Sequence, residues 1–221
     1  MSTKSIKIAV SPAIGKVSAI LMAPPKASAI ITLAHGAGAG MDHVFMNQLA
    51  TALSAVGLAT LRFNFPFMEQ QKKRPDTPAV AHQTIEAAIN KVRELYPSLP
   101  FFVAGKSFGG RMTSQYLATN DQPDIKGLIF YGFPLHPAGK PGIDRAEHLK
   151  KVKVPMLFLQ GTRDTLATWD LIESVCKSLK KATLVKLEGA DHSFKAGKTD
   201  TIALLTKATQ EWIEKQARKA K

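Results

Sequence analysis

From Ala29 to its C-terminus the chain alternates, with one exception, apolar runs of strand length with longer stretches of helical periodicity. Strands are expected over residues 29–33, 59–63, 101–104, 128–131, 155–160 and 183–187. Helices are expected over 44–56, 78–96, 109–119, 168–179 and 199–215, the second with Val80, Ile85, Ala88, Ile89 and Val92 on one side. Strands that read as continuous apolar runs are buried on both faces, so the pattern implies an α/β fold: a mostly parallel central sheet with helices on both faces. Residues 6–10 and 17–23, joined by Ser11-Pro-Ala-Ile-Gly15, add an antiparallel pair at one edge.

In a sheet of this kind ligands gather beyond the carboxyl ends of the strands, so the residues at those ends carry the functional information. The most telling is Ser107, in Phe101-Phe-Val-Ala-Gly105-Lys-Ser107-Phe-Gly109-Gly110. A strand running through Gly-x-Ser-x-Gly into a helix is the setting of a nucleophile elbow, which exposes a serine hydroxyl on a sharp turn within reach of a base. Gly105 and Gly109 leave room where the turn brings backbone against backbone. Two phosphate-binding alternatives fail on spacing. Pro100 stands where a P-loop ending in Gly105-Lys-Ser needs its first glycine, and both registers of a dinucleotide fingerprint in the Gly36–Gly40 loop put their third glycine on a non-glycine, Met41 or His43.

Three more strand ends carry polar or small residues. Ala34-His35-Gly-Ala37-Gly38-Ala-Gly40 follows the first parallel strand, Gly161-Thr-Arg-Asp164 follows residues 155–160, and Glu188-Gly-Ala-Asp191-His192 follows residues 183–187. With Arg62-Phe-Asn-Phe-Pro66, Gly105-Lys-Ser-Phe-Gly-Gly-Arg111 and Pro134-Leu-His-Pro137, these segments resemble the α/β-hydrolase superfamily from about residue 29 onward. Within it they are similar to a lid-poor branch of hydrolases related to testis-expressed protein 30 and to the hydrolase-like subunit of a histone-acetylation complex. The order Ser107, Asp164, His192 is the order such enzymes use.

The resemblance implies an α/β-hydrolase fold with a minimal cap between Tyr131 and Val154, and a serine hydrolase of the carboxylesterase kind working through an acyl-enzyme. Ser107 is then the nucleophile, His192 the base and Asp164 the carboxylate that orients the imidazole. The backbone N–H groups of Phe108 and Ala37, with Gly38 next in line, form the oxyanion hole. Asp191 adjoins His192, and adjacent side chains tend to point apart, so it is expected to shape its own turn, and Glu188 is less well placed. His35 is expected to hydrogen-bond within its loop, and Asp42 to cap the following helix, with His43 beside it. His136 fits a rigid loop and a substrate contact equally. Phe65, Pro66, Phe67 and Met68 fit an apolar wall of the site as well as they fit core or turn packing.

The rest of the chain sets bounds. A length of 221 residues suits one domain, 1–221, able to bury about 70% of its unfolded surface without staples. Cys176 is the only cysteine, consistent with a reducing cytoplasm, and its helical setting favours a structural role. No apolar run adjoins residues 1–7 or approaches the roughly 18 residues of a membrane span, so no membrane association is expected. The net charge of +13 is spread from end to end, with clusters at Lys72-Lys-Arg74 and Lys215–Lys221; without a nucleic-acid motif it reads as a solvated basic surface. No His, Cys, Asp or Glu set has zinc spacing, so neither metal nor cofactor is expected, and the partner is a small-molecule acyl substrate. The runner-up function is a protein-interaction module on an idle hydrolase fold.

Overall fold

The computed structural model describes residues 2–219. Eight strands form one sheet in the order β1-β2-β4-β3-β5-β6-β7-β8: Ser2–Ser11, Gly15–Ala23, Leu58–Phe63, Ala29–Ala34, Phe101–Lys106, Ile125–Tyr131, Met156–Gly161 and Ala182–Leu187. β3 to β8 are mutually parallel, and β2 pairs antiparallel with both β1 and β4. β2 is therefore the one strand running against the rest. α1 (Val44–Ala55) and α6 (Thr201–Lys219) cover one face. α3 (Pro78–Leu95), α4 (Phe108–Thr119) and α5 (Trp169–Ser178) cover the other.

The order of strands explains where a site can form. After β3 the chain moves outward to β4, then returns and places β5 on the opposite side of β3. Connections leaving β3 and β5 diverge at this switch point and open a crevice between them at the carboxyl ends. The glycine loop follows β3 and Ser107 follows β5.

The sequence-based elements are all present, with shifts at their ends. β1 begins at Ser2 and not at residue 6, because its pairing with β2 runs from Ser2 opposite Ala23, and ladder bonds do not require apolar side chains. Two elements escape the periodicity argument: the single turn α2 (Pro66–Glu69) and a 3-10 helix, Asp144–Lys151. The latter is six-eighths polar, and only Ala146 and Leu149 anchor it. The expected apolar side of α3 needs one correction. Its buried stripe is Ala81, Thr84, Ile85, Ala88, Ile89 and Val92. Val80, one residue out of that register, lies at its flank. Of the C-terminal basic cluster, Lys221 lies outside the described residues.

Backbone contact at the elbow is closer than any side chain would permit. A Cβ on Gly105 would stand 2.2 Å from the Gly110 nitrogen, and one on Gly109 would stand 2.5 Å from the Ala34 carbonyl oxygen. These contacts draw β5, the start of α4 and the end of β3 together. Gly105→Ala is expected to lower stability by on the order of 3 kcal/mol or more, because backbone and not a flexible side chain must give way. Urea unfolding measures this; a wild-type midpoint would contradict the packing described.

Candidate active site

The elbow holds Ser107 at φ +49° and ψ −114°, a conformation non-glycine residues rarely adopt. Its Oγ lies 2.8 Å from Nε2 of His192, and Nδ1 of the same ring lies 2.7 Å from Oδ2 of Asp164. The three residues come from the loops after β5, β8 and β7. Asp164 is almost wholly enclosed, its side chain 1% exposed, and both oxygens are occupied: Oδ2 also accepts from Gln160 Nε2 at 2.6 Å, and Oδ1 from the Leu166 N–H at 2.8 Å. A carboxylate in this position requires the proton on Nδ1, which leaves Nε2 free to accept from the serine hydroxyl. An arrangement of this kind can move the hydroxyl proton onto the imidazole as the oxygen attacks an electrophile.

Ser107 and His192 open onto a cleft of about 390 Å³. The glycine loop forms one wall through Gly36, Ala37 and Ala39, and Phe45, Met46 and Leu166 give it an apolar character. Gly36 is so close that a Cβ on it would lie 3.7 Å from Cβ of Ser107. Ala37 is exposed to the cleft, and Phe108 is buried at the first position of α4. A larger groove, about 600 Å³, lies between the end of the β1–β2 pair and the end of α3, and contains none of the strand-end residues. Size alone therefore does not mark the site; the bonded chain of Ser107, His192 and Asp164 does.

The glycine loop is held by residues whose part the sequence did not reveal. Arg62, 2% exposed, donates through Nη1 to the Met41 carbonyl at 3.1 Å and also to Asn47 Oδ1. Asn64 Oδ1 accepts the Met41 N–H at 2.8 Å, so the two side chains after and within β4 grip both polar groups of one loop residue. His35 secures the other end. Its Nε2 accepts the Phe65 N–H at 3.0 Å, which places the ring proton on Nδ1, 2.7 Å from the Gly36 carbonyl it donates to. Burial pushes His35 down to about 4, against the pull of the Gly36 bond, so the ring is neutral at pH 7. The Arg62-Phe-Asn-Phe-Pro66 segment is thus a clamp on the loop. The signal available beforehand was an arginine inside an apolar strand.

The clamp continues outward. Asn64 Nδ2 donates to Glu69 Oε1 at 2.9 Å, and the same carboxylate accepts the Ser18 N–H at 2.9 Å and its hydroxyl at 3.1 Å. Burial raises the Glu69 carboxyl, but the bonds from Asn64 and Ser18, with Lys7 nearby, outweigh it and leave the group below the usual carboxylate range.

Other expected residues fall elsewhere. Asp191 bonds the N–H groups of Ser193 and Lys195 and so shapes the His192 turn. Glu188 is exposed and meets Lys186 and Thr162. His136 is buried, with Nδ1 on the Pro137 carbonyl and Nε2 on Thr168, which gives it the rigid-loop role. The helix cap is His43 and not Asp42: His43 Nδ1 accepts the Phe45 N–H, while Asp42 offers its carbonyl to Asn47. Phe65 and Phe67 are core residues packed on His35 and Phe108, not a wall of the cleft. Cys176 is buried, and burial pushes its thiol up to about 12, far from a reactive thiolate. Among the described residues no group of three or more His, Cys, Asp or Glu could hold a metal ion, and no helix is long and apolar enough to cross a membrane.

Residues 27–219 match the family model described as an alpha/beta hydrolase domain. The chain belongs to the alpha/beta hydrolase family. Solved structures with the same fold include Est1E from Butyrivibrio proteoclasticus, at 19% identity and TM-score 0.75 over 97% of this chain and 99% of that one. XC6422 from Xanthomonas campestris, described as an α/β serine hydrolase without lid, matches at 20% identity and TM-score 0.75, covering 96% and 95%. A dienelactone hydrolase from Anabaena variabilis matches at 19% identity and TM-score 0.76, covering 96% and 97%. At these identities the likeness is one of fold. As in a hydrolase without lid, the segment between β6 and β7 adds only the 3-10 helix, packed beside α4.

Asn64→Leu is expected to cost about 2 kcal/mol, since it strands the Met41 N–H and one Glu69 contact. Glu69 supplies a pH test. A carboxyl lowered in the folded state adds stability above its unfolded value and loses it as pH falls through the folded one. Glu69→Gln should therefore be less stable than wild type near neutrality and show a flatter loss between about pH 5 and pH 3. Denaturation series at stepped pH check both, and parallel curves would contradict the Glu69 assignment.

Proposed function

We propose that this chain hydrolyses a carboxylic ester, or a similarly activated acyl compound, through an acyl-enzyme on Ser107. The observation that carries the proposal is the unbroken run of hydrogen bonds from Ser107 through His192 to a fully bonded Asp164, at the floor of an open cleft. In this reading Ser107 Oγ forms a bond to the acyl carbon while its proton passes to His192 Nε2. Asp164 holds the tautomer and stabilises the imidazolium. The carbon–oxygen bond to the leaving group then breaks as His192 returns the proton to it, and water repeats the sequence to free the acid. Negative charge on the carbonyl oxygen is met by the N–H groups of Phe108 and Ala37, each such donor being worth about 3 kcal/mol.

The cleft favours an acyl or alcohol group of modest size with an apolar surface over a long buried lipid chain. Neighbours named as a serine hydrolase and a dienelactone hydrolase support the reaction class. Within the family the proposal places the chain in the lid-poor branch similar to testis-expressed protein 30, supported by its Gly-Lys-Ser-Phe-Gly-Gly-Arg and Arg-Phe-Asn-Phe-Pro segments. It also takes residues 1–221 as one hydrolase domain acting in the cytoplasm without cofactor, a setting that a buried, unpaired Cys176 suits.

A panel of short and medium acyl esters tests this. Wild-type protein is expected to turn over at least one class, with kcat reduced about 10⁴-fold or more in both Ser107→Ala and His192→Ala. Asp164→Asn should lose a comparable factor, about 10⁴, with its fold intact. Turnover retained in Ser107→Ala would overturn the assignment.

A further inference from the structure

Lys106 immediately precedes Ser107 as the last residue of β5, and no step of the proposed reaction uses it. Its side chain is partly buried and lines the cleft beside Ser107 and His192. Nζ donates to the backbone carbonyl of His192 at 2.6 Å, and it sits 5.1 Å from the ring centre of Phe194 and 5.9 Å from that of Phe45. Gly132, at φ +73°, makes the space: a Cβ there would lie 3.2 Å from Nζ and 3.6 Å from both Nδ1 and Cε1 of His192. The ammonium and the imidazole therefore both border the space that a side chain at residue 132 would occupy.

Holding a cation there has a cost. Burial pushes the Lys106 ammonium down to about 8, against the attraction of Asp164 and Asp191. The remaining polar group in contact is the His192 carbonyl, and the two facing rings are uncharged. The sign follows directly. A lysine that holds its proton less tightly when folded subtracts from stability while it is charged, below about pH 8, and the penalty disappears as pH rises toward the unfolded value near 10.4. At neutral pH burial works against the charge while the bond to the His192 carbonyl works for it, and a methionine of similar length would fill the same space and remove both.

We propose that Lys106 is a positioning residue for His192. Its ammonium pins the backbone of the residue that carries the imidazole to the strand that leads into the serine, and so keeps the ring in line between Asp164 and Ser107. Phe45 and Phe194 flank the ammonium by cation–π contact. The proposal rests on the reading of Ser107 and His192 as nucleophile and base.

Lys106→Met tests it, because a structural role lowers kcat only in step with stability, whereas a positioning role lowers kcat at nearly unchanged stability. The variant is expected to melt within a few degrees of the wild-type temperature, yet to lose at least tenfold in kcat with KM within about twofold. The low-field proton resonance of His192 Nδ1–H, bonded to Asp164, should broaden or vanish in the variant. In wild type, the Lys106 ammonium should give a slowly exchanging ¹H–¹⁵N correlation with contacts to the Phe45 and Phe194 rings. A variant with wild-type kcat, a loss of activity that merely follows a lowered melting temperature, or an unchanged His192 resonance would overturn the proposal. So would a Lys106 ammonium that exchanges like an exposed one, a measurement that needs neither substrate nor a folded variant. Wild-type protein inert on every ester would instead sink the hydrolase reading, and the two resonance measurements would still decide the placement of Lys106.

Discussion

Three backbones meet at the turn after β5 more closely than side chains allow, and the remaining geometry of the site is built on that meeting. Gly105 lets the start of α4 fold back onto β5, and Gly109 lets the same helix touch the end of β3. The consequence for Ser107 is a positive φ that no local preference favours. That strain is sustained because β5 is a central strand, bonded to β3 on one side and β6 on the other, in a sheet covered on both faces. A serine on an edge loop would relax. Here the core holds it upright at the switch point, where the glycine loop of β3 comes to within van der Waals reach.

Around the serine, electrostatics are arranged so that few charges are buried without partners. Asp164 is enclosed but accepts from Gln160, Leu166 and His192. His35 is enclosed but neutral, its tautomer set by the Phe65 N–H. Arg62 spends its buried charge on the loop that walls the cleft. These are costly placements for a fold of ordinary stability, and they lie at the carboxyl ends of β3, β4 and β7, at one edge of the sheet. The opposite edge of the molecule carries a larger groove that none of these residues lines.

Much of this was legible in the sequence. Apolar runs of strand length gave the parallel sheet, and placing residues at strand ends brought Ser107, Asp164 and His192 together, because in a parallel sheet all strand ends lie on one side. What stayed hidden depended on contacts between distant segments. Nothing in the local pattern of Arg62 or Asn64 says that both reach Met41, and Phe65 and Phe67 look the same whether they line a cleft or fill a core. The cap moved from Asp42 to His43 because the chain enters α1 one residue later than the acidic residue suggests. Asp144–Lys151 was invisible for a different reason: two apolar anchors in eight residues set no period.

The central claim is that Ser107 is a nucleophile activated by His192. Incubating the folded protein with a fluorophosphonate and weighing it intact tests that claim without knowledge of the substrate. The account predicts one adduct per chain, mapped to Ser107 and absent from Ser107→Ala and His192→Ala. An unlabelled wild-type protein, or labelling that persists in Ser107→Ala, would contradict it.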